Sequence, residues 1–218
     1  GKPKQGFRKI RLENASFSIL NISRQGKSFK TQIECLNQTS HLNKNIPSQI
    51  GDSRIFLIRH GETVWNRASR LQGHKDTPLT MKGVKQAQAL GFALKGVLKN
   101  KTPSFFYSSP IGRAKQTAAI ISDIIDFDVE RIEYKSSLKE ITFGDWDGLN
   151  MQEILTQYKT SWEKRKTDKW NTSPPNGESF QEAKKRVTHL LGEIANQQDV
   201  VIVAHGSLNK IIRGCWCN

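Results

Sequence analysis

The chain has 218 residues, a formal net charge of +14 at pH 7 and a hydrophobic content of 36%. This length suits one α/β domain, or at most two small ones, and is sufficient to bury a core. No apolar run approaches the roughly 20 residues of a transmembrane helix, and the N-terminal residues show no apolar signal-peptide segment. We therefore expect a cytoplasmic protein, with an organelle stroma as the alternative, and no membrane partner.

The cysteines and the basic charge place few limits on what the chain binds. Cys35, Cys215 and Cys217 cannot all pair, and Cys215 with Cys217 supplies too few ligands for a structural zinc site. We therefore predict reduced cysteines, no metal and no cofactor. Positive charge attracts anions in general, but the sequence contains no recognised nucleic-acid-binding module, so we expect no nucleic acid partner. The oligomeric state stays open.

The first part of the chain reads as a hairpin followed by a linker. Two strand-like stretches, 15–22 and 28–36, flank a polar, glycine-containing connection of hairpin length at 23–27. Residues 37–53 are polar, contain Asn, Ser, Pro and Gly, and show little periodicity, which is typical of a linker.

After residue 53 the pattern changes to apolar strands that alternate with amphipathic helices. Strands are predicted at 54–58, 104–108 and 199–204. Helices are predicted from residue 80 to about 99, after Pro110, from about 180 to 196, and after His205. This alternation predicts an α/β fold with a mainly parallel central sheet that is covered by helices on both faces.

Capping residues mark the starts of three of these helices. Thr80 is expected to cap the first, and Ser179 with Glu182 forms the pattern of a capping box. Ser109 followed by Pro110 predicts a helix capped by Ser109 with Pro110 in its first position.

Three polar clusters directly follow predicted strands. Arg59 and His60 follow the first strand, Ser109 with Arg113 follows the second, and His205 follows the third. Because ligands bind beyond the carboxyl ends of parallel strands, we expect these clusters to face one crevice. Two arginines and two histidines suit a phosphate dianion, helix N-termini add amide donors, and a neutral imidazole can attack phosphorus.

Six sequence blocks carry a resemblance to a known family. FLIRHGETVWN at 56–66 resembles the signature of the histidine phosphatase, or phosphoglycerate-mutase-like, superfamily. The remaining family blocks follow in order: LQGHKDTPLTMKGVKQAQALG (71–91), YSSPIGRAKQTA (107–118), LKEITFGDWDG (138–148), NGES (176–179) and VVIVAHGS (200–207).

The resemblance implies a role for each matching residue. His60 matches the nucleophile that becomes phosphohistidine, and the residues that hold the phosphoryl oxygens match Arg59, Arg113 and His205. Glu140 matches the proton donor, which physical reasoning also requires because an alkoxide is a poor leaving group. The resemblance assigns Asn66, Gln72 and Gly73 to substrate binding, and the alternative for Asn66 and Gln72 is a loop cap. His41, His74 and His189 are expected to be structural.

The chain order departs from the family pattern. Residues 12–42 resemble the closing strands that normally follow the block with His205, yet here they precede His60. We therefore interpret 1–218 as a single domain in circularly permuted order, with 12–42 as the hairpin, 43–53 as the linker and 54–218 as the catalytic body. The alternative is a chain cut across the boundary of two tandem domains. Permutation also predicts that Gly1 and Asn218 lie close together.

The implied function is that of a histidine acid-type phosphatase, a phosphomonoesterase that hydrolyses a small phosphorylated metabolite through His60. One alternative is a phosphoglycerate mutase, which would carry a longer segment than 149–175 between the Glu140 block and NGES. Another is an inactive phosphate-binding regulatory domain, against which the complete residue set argues. Specificity is expected to depend on 149–175 and the pocket rim, where Trp162, Trp170 and basic residues are candidates for substrate contact.

Overall fold

The computed structural model of the chain describes residues 16–25, 28–38, 53–194, 197 and 199–216. Its strands are β1 (Phe17–Gln25), β2 (Ser28–Gln38), β3 (Ser53–Arg59), β4 (Phe105–Ser108), β5 (Glu133–Tyr134) and β6 (Val200–Ala204). Its helices are α1 (Val64–Arg67), α2 (Met81–Val97), α3 (Gly112–Ile124), α4 (Met151–Gln157), α5 (Lys159–Thr167), α6 (Phe180–Ile194) and α7 (Gly206–Trp216).

The described strands form one sheet in the order β2-β1-β3-β6-β4-β5. Strands β3, β6, β4 and β5 are parallel to their neighbours, whereas β1 and β2 join antiparallel at one edge. Alternate residues of the central strands face opposite sides, as the pleat requires. Ile55 and Ile202 pack with α6 and α7 on one side, and Phe56 and Val201 pack with α2 and α3 on the other. The predicted doubly covered parallel sheet is confirmed.

The hairpin predicted at the front of the chain lies beside the first catalytic strand. Strand β1 pairs with β3 from Phe17 opposite Ile58 to Ile22 opposite Ser53, and the backbone N–H of Arg59 donates to the carbonyl of Ser16 at 3.0 Å. The backbone therefore completes the sheet edge as expected. Circular permutation itself stays a prediction, because the two chain ends and the linker 43–52 lie outside the described residues.

Two of the predicted helix starts are confirmed and one is wrong. Thr80 accepts from the N–H of Gly83, and Ser179 exchanges hydrogen bonds with Glu182. Helix α3 instead begins at Gly112 and does not have Ser109 as its cap. The Ser109 hydroxyl is engaged elsewhere, since it contacts Nε2 of His205 at 2.8 Å and accepts from the N–H of Ile111 at 3.3 Å.

Helices α4 and α5 were missed in the segment 149–175. Asn150 and Glu153 form a capping box that starts α4, so the local signal was present in the sequence. No helix of the described residues is long and apolar enough to cross a membrane.

Candidate active site

A cavity of about 250 Å³ lies where β3, β4 and β6 end. The three polar clusters that follow these strands therefore meet, as the sequence predicted. Seven predicted site residues line the cavity: Arg59, His60, Asn66, Gln72, Gly73, Arg113 and Glu140. The remaining one, His205, lies behind the cavity wall, where its buried ring is 5.2 Å from that of His60 between centroids.

Contacts at both ring nitrogens fix the orientation of His60 and the position of its proton. Its Nδ1 lies 2.7 Å from the carbonyl oxygen of Gly61, and its Nε2 accepts from Nε of Arg113 at 3.2 Å. These two contacts fit a neutral ring with the proton on Nδ1. Burial, followed by the positive charges of Arg113 and Arg59, lowers the pKa of His60 well below its usual value. The unprotonated Nε2 is therefore a competent nucleophile.

Arg113 is held from behind by the loop that precedes α2. Its Nη2 donates to the carbonyl of Gly73 at 2.8 Å, and its Nη1 donates to the carbonyl of Lys75 at 2.7 Å. The carboxylate of Asp76 accepts from Nη1 at 3.3 Å and from the backbone N–H of Arg113 at 3.2 Å. The side chain is 1% exposed, so this network fixes the direction of the guanidinium.

His205 is a second neutral imidazole beside the first. Burial lowers its pKa well below the usual value, and the nearby charge of Arg113 adds to this effect. Its Nε2 contacts Ser109, while its buried Nδ1 has no hydrogen-bond partner within the described part of the chain. His205 is not among the residues that line the cavity, so its contact with a phosphoryl oxygen stays a prediction.

Glu140 is anchored on the N-terminus of α7. Its Oε2 accepts from the N–H of Ser207, and its Oε1 accepts from those of Leu208 and Ile141, all at 3.0 Å. The side chain is 8% exposed and lines the same cavity as His60. A carboxyl group in this place can exchange a proton with a group bound at His60.

Arg59 and the start of α7 form another part of the wall. A Cβ atom at Gly206 would lie 3.3 Å from Nε of Arg59, tighter than most contacts of this kind. Glycine at this position therefore leaves room for the guanidinium, and the first amides of α7 add favourable donors for an anion.

The three predicted substrate-binding residues play more than one part. Asn66 accepts from the N–H of Thr63 at 3.2 Å, so it caps α1 and also lines the cavity. Gln72 lines the cavity and accepts from the Thr77 hydroxyl at 3.2 Å. Gly73 has a positive φ of 50°, and a Cβ there would lie 2.0 Å from Oδ1 of Asp147. Only glycine therefore fits where its carbonyl orients Arg113.

The two tryptophans proposed for substrate contact do not line the cavity. Trp162 packs on the buried ring of Trp146, with centroids 5.6 Å apart, because helix α5 turns that face inward. Trp170 packs beneath the ammonium group of Lys184. His74 does not line the cavity, and its Nε2 lies 2.8 Å from the carbonyl oxygen of Glu140, so its structural role stays a prediction.

Several residues of the site were not among those predicted from the sequence. Arg70, Phe143 and Lys210 line the cavity. Arg165 is buried near it, with its guanidinium 5.7 Å from the ring centroid of Phe143, and burial lowers its pKa to about 10. Lys210 follows Gly206 by four residues, about one helical turn, so helical spacing was the signal that could have found it.

The described residues offer no metal site. No three His, Cys, Asp or Glu side chains among them converge closely enough to hold an ion. Cys215 is a free thiol whose pKa is raised by burial. The side chains of Cys35 and Cys217 lie outside the described part.

A neutral histidine, two arginines and a carboxyl group line one cavity, and a second imidazole lies behind its wall, an arrangement suited to phosphoryl transfer through histidine. The chain belongs to the histidine phosphatase superfamily (branch 1), whose profile matches residues 55–218. A 2,3-bisphosphoglycerate-dependent phosphoglycerate mutase of Bartonella tribocorum is 35% identical over 161 residues, covering 70% of this chain and 76% of the relative.

Other relatives include phosphatases. A Caenorhabditis elegans 6-phosphofructo-2-kinase/fructose-2,6-bisphosphatase is 30% identical over 202 residues, which cover 92% of this chain. The matched region spans only 42% of that relative's length. The solved structure of a mycobacterial glucosyl-3-phosphoglycerate phosphatase superposes with a TM-score of 0.66 at 28% identity, covering 75% of this chain and 80% of that one.

Proposed function

We propose that this chain is a phosphomonoesterase that hydrolyses small phosphorylated metabolites through a phosphohistidine on His60. The observation that carries the proposal is the neutral His60, whose Nε2 lies in a cavity also lined by Arg59, Arg113 and Glu140. Similarity to phosphatases supports the hydrolytic outcome.

In the first step Nε2 of His60 attacks phosphorus and the bond to the leaving oxygen breaks. Glu140, as the carboxylic acid, gives its proton to that oxygen so that a neutral alcohol leaves. Arg59, Arg113 and His205 hold the three phosphoryl oxygens and stabilise their negative charge.

In the second step water replaces the alcohol beside the phosphohistidine. The Glu140 carboxylate takes a proton from the water as its oxygen bonds to phosphorus and the bond from phosphorus to Nε2 breaks. Inorganic phosphate leaves, and both His60 and Glu140 return to their starting protonation states.

One feature supports the phosphatase over the mutase alternative. The segment 149–175 is short and folds into the compact helices α4 and α5, which leaves little chain to enclose a transferred phosphoglycerate. The acid-type class belongs to the same proposal, because the lowered pKa of His60 keeps the nucleophile neutral in mild acid. The complete residue set argues against an inactive binding domain.

The test uses the full chain with para-nitrophenyl phosphate and radiolabelled phosphate esters. We expect turnover and an acid-labile, base-stable phosphoryl label, both abolished in His60→Ala. The exposed His189 provides the control His189→Ala, which should retain both. Turnover that survives in His60→Ala would overturn the mechanism. Isomerisation of 3-phosphoglycerate without phosphate release, dependent on added 2,3-bisphosphoglycerate, would favour the mutase.

A further inference from the structure

Lys210 is a cation of the cavity that has no hydrogen-bond or ion-pair partner within the described part of the chain. It lies four residues after Gly206 on α7, so both are on one face of the helix and line the same wall. The other cavity-lining cations are engaged differently. Arg70 pairs with Glu153 at 2.9 Å, and Arg113 donates to the carbonyls of Gly73 and Lys75.

The surroundings of Lys210 make an anion favourable there. The pKa of Lys210 is lowered first by burial and then by the positive charges of Lys169, Arg59 and Arg213. The negative charge of Glu140 has the opposite effect and raises this pKa. The Glu140 carboxylate is already occupied by three backbone N–H groups. An anion bound at Lys210 would be attracted by this group of positive charges.

We propose that Lys210 binds a second anionic group of the substrate, at a distance from the phosphoryl group that His60 attacks. The inference rests on the proposed phosphatase function and names its substrate class: phosphate monoesters that carry a carboxylate or a second phosphate. Phe143, on the same cavity wall, offers an apolar surface for the carbon chain between the two anions.

A matched pair of substrates tests this. 3-Phosphoglycerate carries a carboxylate where glycerol 3-phosphate carries a hydroxymethyl group. 2,3-Bisphosphoglycerate carries the carboxylate and also a second phosphate. We expect Lys210→Gln to lower the ratio of kcat/KM for 3-phosphoglycerate over glycerol 3-phosphate by about tenfold or more, as loss of a charged hydrogen bond does. The arm with 2,3-bisphosphoglycerate shows which second anion is preferred.

The exposed Lys85 supplies the control, since Lys85→Gln should leave the ratio unchanged. Equal losses on both substrates in Lys210→Gln would overturn the inference, because they would place Lys210 on the reacting phosphoryl group. Absence of phosphate release from any substrate would instead overturn the proposed function, so the two failures are distinguishable.

A separate observation concerns the segment that carries Glu140. Arg186 on α6 donates from Nη1 to the carbonyl of Ser137, and from Nη2 to those of Lys139 at 2.8 Å and Glu140 at 3.2 Å. Its Nε and Nη2 also donate to the two carboxylate oxygens of Glu178, at 2.7 and 3.0 Å. One guanidinium therefore ties three residues of the 137–140 segment to α6.

Glu178 is itself fixed to the chain beyond Glu140. Its backbone N–H donates to the carbonyl of Thr142 at 2.9 Å, and its side chain is only 15% exposed. The pair is thus part-buried, bidentate and connected to both sides of Glu140. This geometry is what a rigid support for a proton donor requires.

We infer that Arg186 and Glu178 are positioning residues for Glu140 and act on proton transfer without touching substrate. Arg186→Gln and Glu178→Gln should therefore slow alcohol-leaving substrates more than phenol-leaving ones, because only alcohols need the proton. Arg186→Lys keeps the positive charge but loses the planar, forked donor geometry of the guanidinium. Its effect on alcohol-leaving relative to phenol-leaving substrates should therefore be smaller than that of Arg186→Gln.

A double-mutant cycle separates positioning from general stability. If Arg186 acts through Glu140, adding Arg186→Gln to Glu140→Gln should cause no further change in the ratio of alcohol to phenol rates. The exposed neighbour provides the control Lys185→Gln, with both rates unchanged. If Arg186→Gln does not fold, the near-isosteric Glu178→Gln carries the test. Equal losses on both substrate types, in folded protein, would overturn the inference.

Discussion

The Nε of Arg113 donates to Nε2 of His60 across 3.2 Å, so the proposed phosphate-binding cation and the proposed nucleophile contact each other before substrate arrives. Since an N–H group cannot accept, this bond requires an unprotonated Nε2. The lone pair that accepts this bond is the one that attacks phosphorus. When substrate binds, the Nε–H of Arg113 must therefore stop donating to His60 and donate to a phosphoryl oxygen instead. The Nε2 lone pair of His60 is then free to attack phosphorus.

Replacing Arg113 tests this relationship. Arg113→Lys keeps a positive charge but loses the planar fork and its bonds to the carbonyls of Gly73 and Lys75. We expect kcat/KM for para-nitrophenyl phosphate to fall by about 10²–10³, as for loss of a preorganised oxyanion donor. Arg131→Lys, at an exposed site, should leave the rate unchanged. A loss below about threefold would mean that point charge alone suffices.

Glu140→Gln tests the proton donor. The substitution keeps the shape of the side chain but removes its acid, so alcohol-leaving substrates should slow by roughly 10²–10⁴. Phenol-leaving substrates should slow much less, because phenolates need little protonation. Measurement of kcat/KM on both substrate types decides the matter, because this constant reports phosphoryl transfer to His60 and not the later hydrolysis. Equal losses of kcat/KM would exclude Glu140 as the donor.

The two buried imidazoles should make stability fall in mild acid. Burial lowers the pKa of His60 and of His205 below their usual value in the folded chain, whereas in the unfolded chain histidine titrates near about 6.5. Between the folded and unfolded pKa the unfolded chain binds more protons, so the free energy of unfolding rises with pH and levels off above the unfolded pKa. Urea denaturation from about pH 5 to 7.5 should show this slope.

His60→Ala supplies the comparison for that slope. Because His60→Ala removes one of the two imidazoles whose pKa is lowered, the free energy of unfolding should vary less steeply with pH over the same range. An identical slope in wild type and His60→Ala would mean that His60 protonates in the folded chain as readily as in the unfolded one.

Catalysis should require no divalent metal ion. Arg59 and Arg113 supply fixed positive charge at the cavity. Without them, a metal ion would be needed to offset the negative charge of the phosphoryl group. The rate with para-nitrophenyl phosphate should be the same before and after treatment with EDTA. Loss of activity that Mg²⁺ restores would contradict this prediction.

Removal of residues 1–42 should produce insoluble protein. Strand β3 pairs with β1 on one side, so the truncation leaves the backbone of a buried central strand as an open edge. Sedimentation of the expressed truncation, beside the full chain, measures the effect. A soluble and fully active 43–218 fragment would contradict both this prediction and the single-domain permutation.

Much of this site follows directly from the order of residues along the chain. The apolar run 54–58 and the run 199–204 had to be buried strands, and parallel strands bring their carboxyl ends to one edge. His60 and His205, which directly follow those strands, therefore had to approach each other, and they lie 5.2 Å apart between ring centroids. The Thr80 and Ser179 caps are equally local, because they depend on neighbours three residues away.

Only the tertiary structure determined which side chains act together across long separations. Ser109 contacts His205 instead of capping a helix, Arg186 reaches back 46 residues to the carbonyl of Glu140, and Lys210 joins the cavity wall. No local pattern encodes the first two contacts, since they join residues 96 and 46 positions apart in the chain. The place of Lys210 in the wall depends on which face α7 turns toward the cavity. Hydrophobic periodicity specifies the buried face of a helix, whereas packing against the sheet determines which groups the remaining polar side chains contact.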